Sequence, residues 1–148
     1  MLHIAEQGFY DEVARHLQRY DLILYEGVQL KSASARLLTY CYKCLAKSPR
    51  LGLVTQHTMK LSHLKDRLIY SDVSGDEILC APDEDPIDEV IITWRDRRLI
   101  EVIEKHRHGH RGSPLSIAVA FGAAHMRAVI HHLTRWPEPG YRVVAVSG

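Results

Sequence analysis

Apolar and polar positions along the chain switch between two periods, and the switches mark its elements. Residues Leu115 to Phe121 read Leu-Ser-Ile-Ala-Val-Ala-Phe, a short apolar run between turn signals, which predicts a buried strand. After it Met126, Val129, Ile130 and Leu133 recur at helical spacing, so a helix follows. Near the start, Phe9, Val13 and Leu17 fall at i, i+4 and i+8 and predict another helix. The run from Asp21 through Leu-Ile-Leu-Tyr to Glu26 and Gly27 then predicts a strand ending in a carboxylate and a glycine. Such alternation over 3–28 and 86–146 predicts one α/β layer, a mainly parallel sheet with flanking helices. Between these ends, 31–70 reads as a helical insertion, broken at Ser48-Pro49-Arg50-Leu51-Gly52. Acidic, turn-rich residues 72–88 predict an exposed loop into a helix from about Pro86 to His106, with Asp85 as its N-cap. In that helix Ile87, Val90, Ile91 and Trp94 form one apolar stripe, which Leu99, Val102 and Ile103 continue with a shift. Residues 1–148 thus read as a single domain.

Composition narrows the partners. At 148 residues, 46% hydrophobic and 25% charged, the chain can bury one sizeable core. A formal net charge of +1 gives no field for a polyanion, so nucleic acid is not an expected partner. No apolar run reaches the length of a membrane span, and the N-terminus lacks a signal-peptide layout. The expected compartment is cytoplasmic. Cys41 and Cys44 form a Cys-x-x-Cys pair, which suggests redox or zinc chemistry. They also share a predicted helical face with Leu37, Leu38 and Leu45, and no second pair completes a tetrahedral site. Buried or half-buried structural thiols are the expectation, and Cys80 stands alone.

The candidate chemistry starts from Gly122-Ala123-Ala124-His125, where the apolar strand gives way to a helix. His125 would sit at a strand's carboxyl end, the edge where open α/β sheets carry their functional groups. The small residues before it allow a sharp turn and close approach of a ligand. A tight turn with an incidental polar residue is the plainer alternative. Glu26 occupies the corresponding end of the earlier strand, and His3 precedes the first helix. Parallel strands joined by right-handed crossovers share one carboxyl-end side, so His3, Glu26 and His125 are expected to converge on one crevice. Two imidazoles and a carboxylate can hold a divalent metal ion with positions open for water. Arg95, beside Arg97 and Arg98, belongs either to a solvated cationic face with Asp96 pairing locally or to that crevice. His106, His108 and His110 read as a solvated basic linker, and His57 and His63 as surface residues. At least one of His131 and His132 should face solvent. A phosphate cradle is disfavoured, because there is no Gly-x-Gly-x-x-Gly and no Walker lysine.

Taken in order, His3-Ile4-Ala5, the strand into Tyr25-Glu26-Gly27, Arg95-Asp96 opening a helix, and the strand into Gly122-Ala123-Ala124-His125 resemble the TraB/PrgY/GumN family. A final Gly-Tyr strand, Gly140-Tyr141, extends the likeness to nearly the whole chain. That family is related to the Tiki proteases and, more distantly, to EreA- and ChaN-like proteins. Its pattern is two Gly-x-x-His motifs, a glutamate on a strand between them, and an arginine before the second motif. Gly122 and His125 match the second motif, Glu26 the glutamate and Arg95 the arginine, with Asp96 where relatives often carry asparagine. Leu51-Gly52-Leu53 with Gln56, and Ser71-Asp72, are similar to the middle section of some members.

The first motif's glycine, and the strand that delivers its histidine, would lie upstream of Met1. The expectation is therefore an open sheet edge, His3 held only by a frayed terminus, and a homodimer or a mobile N-terminus. The resemblance implies a metal-dependent hydrolase or peptidase acting on an amide or ester. His3 and His125 would bind the ion, Glu26 would be a ligand or the general base, and Arg95 would stabilise negative charge. The alternative is a non-catalytic regulatory protein of the pheromone-shutdown type, with a peptide or small-molecule ligand in the same crevice.

Overall fold

The computed structural model describes residues 3–27, 33–46, 51–73, 89–109 and 114–135. Its centre is a three-stranded parallel sheet. Strand β2 (Leu22–Tyr25) lies between β4 (Leu68–Tyr70) and β5 (Ile117–Ala120), with Ile23 opposite both Leu68 and Ala118. The two predicted end strands thus belong to one sheet. Asp21 locks its amino end: the carboxylate accepts from the Ser116 N–H (2.9 Å) and hydroxyl (2.5 Å), while the Asp21 N–H donates to the Ser116 carbonyl.

The alternation along β2 explains the layering, because successive side chains face opposite sides of a sheet. Ile23 and Tyr25 join Tyr10, Ala14 and Leu17 of helix α1 (Gln7–Leu17) in one core, with Met59 and Leu64. Leu24 points the other way, onto Leu99 and Ile103 of α3 (Arg95–Gly109) and Val129 of α4 (Ala123–Arg135). The sheet is covered on both faces, as parallel sheets require. Helix α1 ends where Arg67 donates Nη1 bonds to the Gln18 and Tyr20 carbonyls, supplying donors for otherwise unpaired groups.

The middle of the chain corrects the helical-insertion reading. Among the described residues there, only α2 (Ala33–Ala46) is an α-helix. Leu53–Thr55 form β3, Gln56–Thr58 and Ser62–Arg67 are 3-10 turns, and Leu68–Tyr70 are β4. Short apolar runs read equally as helix or strand, and here pairing with distant strands decides. Gly52, at φ 59, makes the turn into β3 in a left-handed conformation that suits glycine. Strand β1 (Ile4–Glu6) pairs antiparallel with β3, Ala5 opposite Val54. The segment behind His3 is therefore a paired strand rather than a loose terminus.

Three further expectations change. Cys41 and Cys44 are exposed, and Leu45 is 48% exposed. Helix α2 instead turns Tyr42 and Ala46 inward, one residue and so about 100° round from the predicted face. His106 and His108 lie on the last turns of α3, not in a linker, and His108 Nδ1 bonds the Glu104 carbonyl. The shifted stripe has a cause: Glu89–Trp94 form a π-helical turn, whose extra residue per turn rotates everything after it. Asp85, Cys80, His110 and the Gly140-Tyr141 strand lie outside the described residues. His57, His63 and His131 are exposed, as expected.

Candidate functional site

The carboxyl ends of all three parallel strands carry the site's residues. Glu26 follows β2, Ser71 and Asp72 follow β4, and Gly122 follows β5 by one residue. Chain continuation holds them in place: the Glu26 N–H donates to the Ala120 carbonyl and the Ser71 N–H to that of Tyr25. His125 is one turn further, its N–H bonded to the Gly122 carbonyl at 3.0 Å. The π turn ends at Trp94 and rotates the next two residues, Arg95 and Asp96, inward. Each is 8% exposed, whereas Arg97 and Arg98 are exposed. Of the two readings of this cationic stretch, burial selects the crevice for Arg95.

Arg95 spans two carboxylates. Its Nε and Nη2 donate to Asp72 Oδ1 and Oδ2 at 2.8 and 2.7 Å, a bidentate fork, and Nη2 also reaches Glu26 Oε1 at 2.6 Å. The other Glu26 oxygen accepts the Gly122 N–H at 2.7 Å. Burial alone would raise the Glu26 carboxyl. The Arg95 hydrogen bond and charge, the Gly122 N–H and the nearby His3 outweigh burial and hold it below its ordinary value. Arg95 is itself pushed further up by its two carboxylates, against burial.

His125 is 4% exposed, with Nδ1 2.6 Å from Asp96 Oδ1. An ionised carboxylate only accepts, so Nδ1 donates to it. The Phe121 ring stands edge-on to the imidazole at 5.8 Å. A Cβ placed on Gly122 would lie 3.5 Å from Glu26 Oε2 and 3.8 Å from His125 Cδ2, so the glycine marks where carboxylate and imidazole approach.

His3 is exposed yet firmly held. Its carbonyl accepts the Gln56 N–H at 3.0 Å, its Nδ1 lies 3.0 Å from Gln56 Oε1, and its ring stacks on Tyr42 at 5.7 Å. Gln56 in turn donates through Nε2 to the Tyr25 hydroxyl at 2.8 Å. Both imidazoles are thus held through Nδ1 by an outer partner. Metal-ligating histidines are oriented in this way by outer partners.

His3 and His125 are the imidazoles that could serve a divalent ion as ligands. Glu26 suits a supporting role, since Arg95 and Gly122 already engage both its oxygens. Among the described residues, no three His, Cys, Asp or Glu side chains are gathered as a ready ligand set. Two other observations bear on the fit. Glu26 and Asp72 share the Arg95 guanidinium, while Asp96 pairs with His125. Ser71 Oγ is also buried with no hydrogen-bond partner among the described residues. Asp72 and Gln56 are functional candidates that spacing did not single out, because each acts on a residue far along the chain. No protein-family model, no curated protein and no solved structure matches the chain. Among the described residues, no helix is long and apolar enough to cross a membrane.

Proposed function

We propose that this protein is a metal-dependent hydrolase of the TraB/GumN type, cleaving an amide or ester. The observation that carries the reading is the buried Asp96–His125 pair meeting Glu26, Arg95 and Asp72 at one sheet edge. His3 and His125 would hold the ion through Nε2. A bound divalent ion supplies Lewis acidity to a water and a scissile carbonyl. Glu26, kept ionised by Arg95, accepts the proton of the attacking water. Arg95, fixed by Asp72, offers positive charge to the oxygen on which negative charge develops. Asp96 keeps His125 in one tautomer and orientation.

A second reading, a regulatory protein that binds a peptide or small-molecule ligand without turnover, is favoured by the engagement of both Glu26 oxygens. Elemental analysis of the purified protein, repeated with His125→Ala, combined with a panel of peptide and ester substrates, separates the two. Metal lost in the variant together with turnover in the parent supports the hydrolase. Ligand binding without turnover supports the regulator, and no metal in the parent removes the metal reading. The proposed working unit is a homodimer, because β4 and β5 each have an outer edge unpaired by any described strand. Light scattering that reports a monomer would exclude it.

A further inference from the structure

Cys41 and Cys44 are free and exposed on α2. A separation of three residues sets their side chains on one flank of the helix. Tyr40, one turn before Cys44, has its phenol pushed up by a hydrogen bond with the Cys44 side chain. Tyr42 lies between the two cysteines, and its ring stacks on His3 with an interplanar angle of 22°. The dithiol thus brackets the residue that braces His3. Side chains at i and i+3 of an α-helix have Cβ atoms about 5–6 Å apart. A disulfide needs about 3.5–4.5 Å. A 3-10 turn eclipses i and i+3, so closing the bond tightens the turn that presents Tyr42. A bond closed against helix geometry is readily reduced again.

We propose that Cys41 and Cys44 form a reversible thiol–disulfide site, oxidised by low-molecular-weight disulfides, whose closure shifts Tyr42 against His3. The Cys44 thiolate attacks one sulfur of the small disulfide; that S–S bond breaks and one small thiolate leaves. The Cys41 thiolate then attacks Cys44 Sγ, forming the Cys41–Cys44 bond and releasing the second small thiolate. The two protein thiol protons end on the two released thiols. The protein loses two electrons and the small disulfide gains them. This site stands independently of the hydrolase reading.

The test incubates the reduced 148-residue chain with glutathione disulfide, with no metal or substrate added. The expected product is lighter by about 2 Da, the two hydrogens lost on thiol–disulfide exchange, and carries a Cys41–Cys44 link in peptide mapping. Cys41→Ser should stop as a mixed disulfide on Cys44. Cys44→Ser, left with Cys41 alone on the helix, should form no internal link. Cys80→Ser should still form the link. His3 ring resonances should shift on oxidation of the parent and of Cys80→Ser, but not of Cys41→Ser. Two thiols that stay alkylatable in excess oxidant, or a bond to Cys80, would overturn the site. A formed link with unmoved His3 resonances would overturn its coupling to His3. Failure of the hydrolase reading leaves the mass readout untouched.

Discussion

Arg95 allows Glu26 and Asp72 to be buried side by side. Their side chains are 7% and 1% exposed, so removing the guanidinium strands two carboxylates in a dry setting. Arg95→Met should cost about 3–5 kcal/mol, read from denaturant midpoints, with Arg95→Lys in between because it keeps the charge and loses the fork. Glu26 sets an acid limit. Its folded carboxyl lies below the ordinary 4.5, so its contribution is present above that value and lost as pH falls through the folded one. Stability measured below pH 4.5 should fall less steeply in Glu26→Gln than in the parent; parallel slopes would show that Glu26 is not the linked group. Glu26, Gly122 and His125 were legible because each sits where a strand's apolar run stops. Asp72 and Gln56 were legible only through the family resemblance. Their partners lie 23 and 53 positions away, and a pairing over that span leaves no local pattern.

Among elements, the π turn before α3 matters most, since it converts a cationic surface stretch into a buried Arg-Asp pair. The break in the apolar stripe was visible in the sequence, but the turn type behind it was not, because periodicity alone does not tell an inserted residue from a bend. Leu99, fully buried one turn after Arg95, anchors the start of α3 against β2. Leu99→Ala should destabilise by about 2–5 kcal/mol. It should also raise amide exchange around Arg95 and Asp96 more than around α1, which native-state exchange would show. The turn into α4 makes the opposite demand. Gly122 has room for a methyl group at ordinary contact distances, so Gly122→Ala should cost less than about 1 kcal/mol. That methyl would stand between Glu26 and His125. A tenfold or greater loss of turnover or ligand affinity, with an almost unchanged melting temperature, is the expected pattern; unchanged function would place the working surface elsewhere.

At the scale of the whole molecule, two core clusters are seen among the described residues, and β2 contributes to both. The end strands were legible because each is a short apolar run between turn signals. Strands β3 and β4 were hidden, since three-residue segments take their structure from partners rather than from their own pattern. Tyr25 sets an alkaline limit. Burial first, with smaller contributions from neighbouring acidic groups, pushes its phenol up to about 12 although the Gln56 bond works the other way. The folded value exceeds the ordinary 10.0, so its stabilisation is complete below that pH and is lost as pH climbs towards 12. Ultraviolet titration should find one tyrosine ionising together with unfolding, and Tyr25→Phe should abolish that late step.

The lock between Asp21 and Ser116, 95 positions apart, also has a temporal meaning. During synthesis the central strand leaves the ribosome long before β5 does, and neither neighbour can stand in for the other. Until then β2 carries an open ladder and an apolar surface, the condition in which nascent chains seek chaperones or one another. Long-range pairing of this kind also slows folding. Newly made protein should therefore gain protease resistance in one late step, after Ala120 has emerged, and any activity at this edge should arise with it.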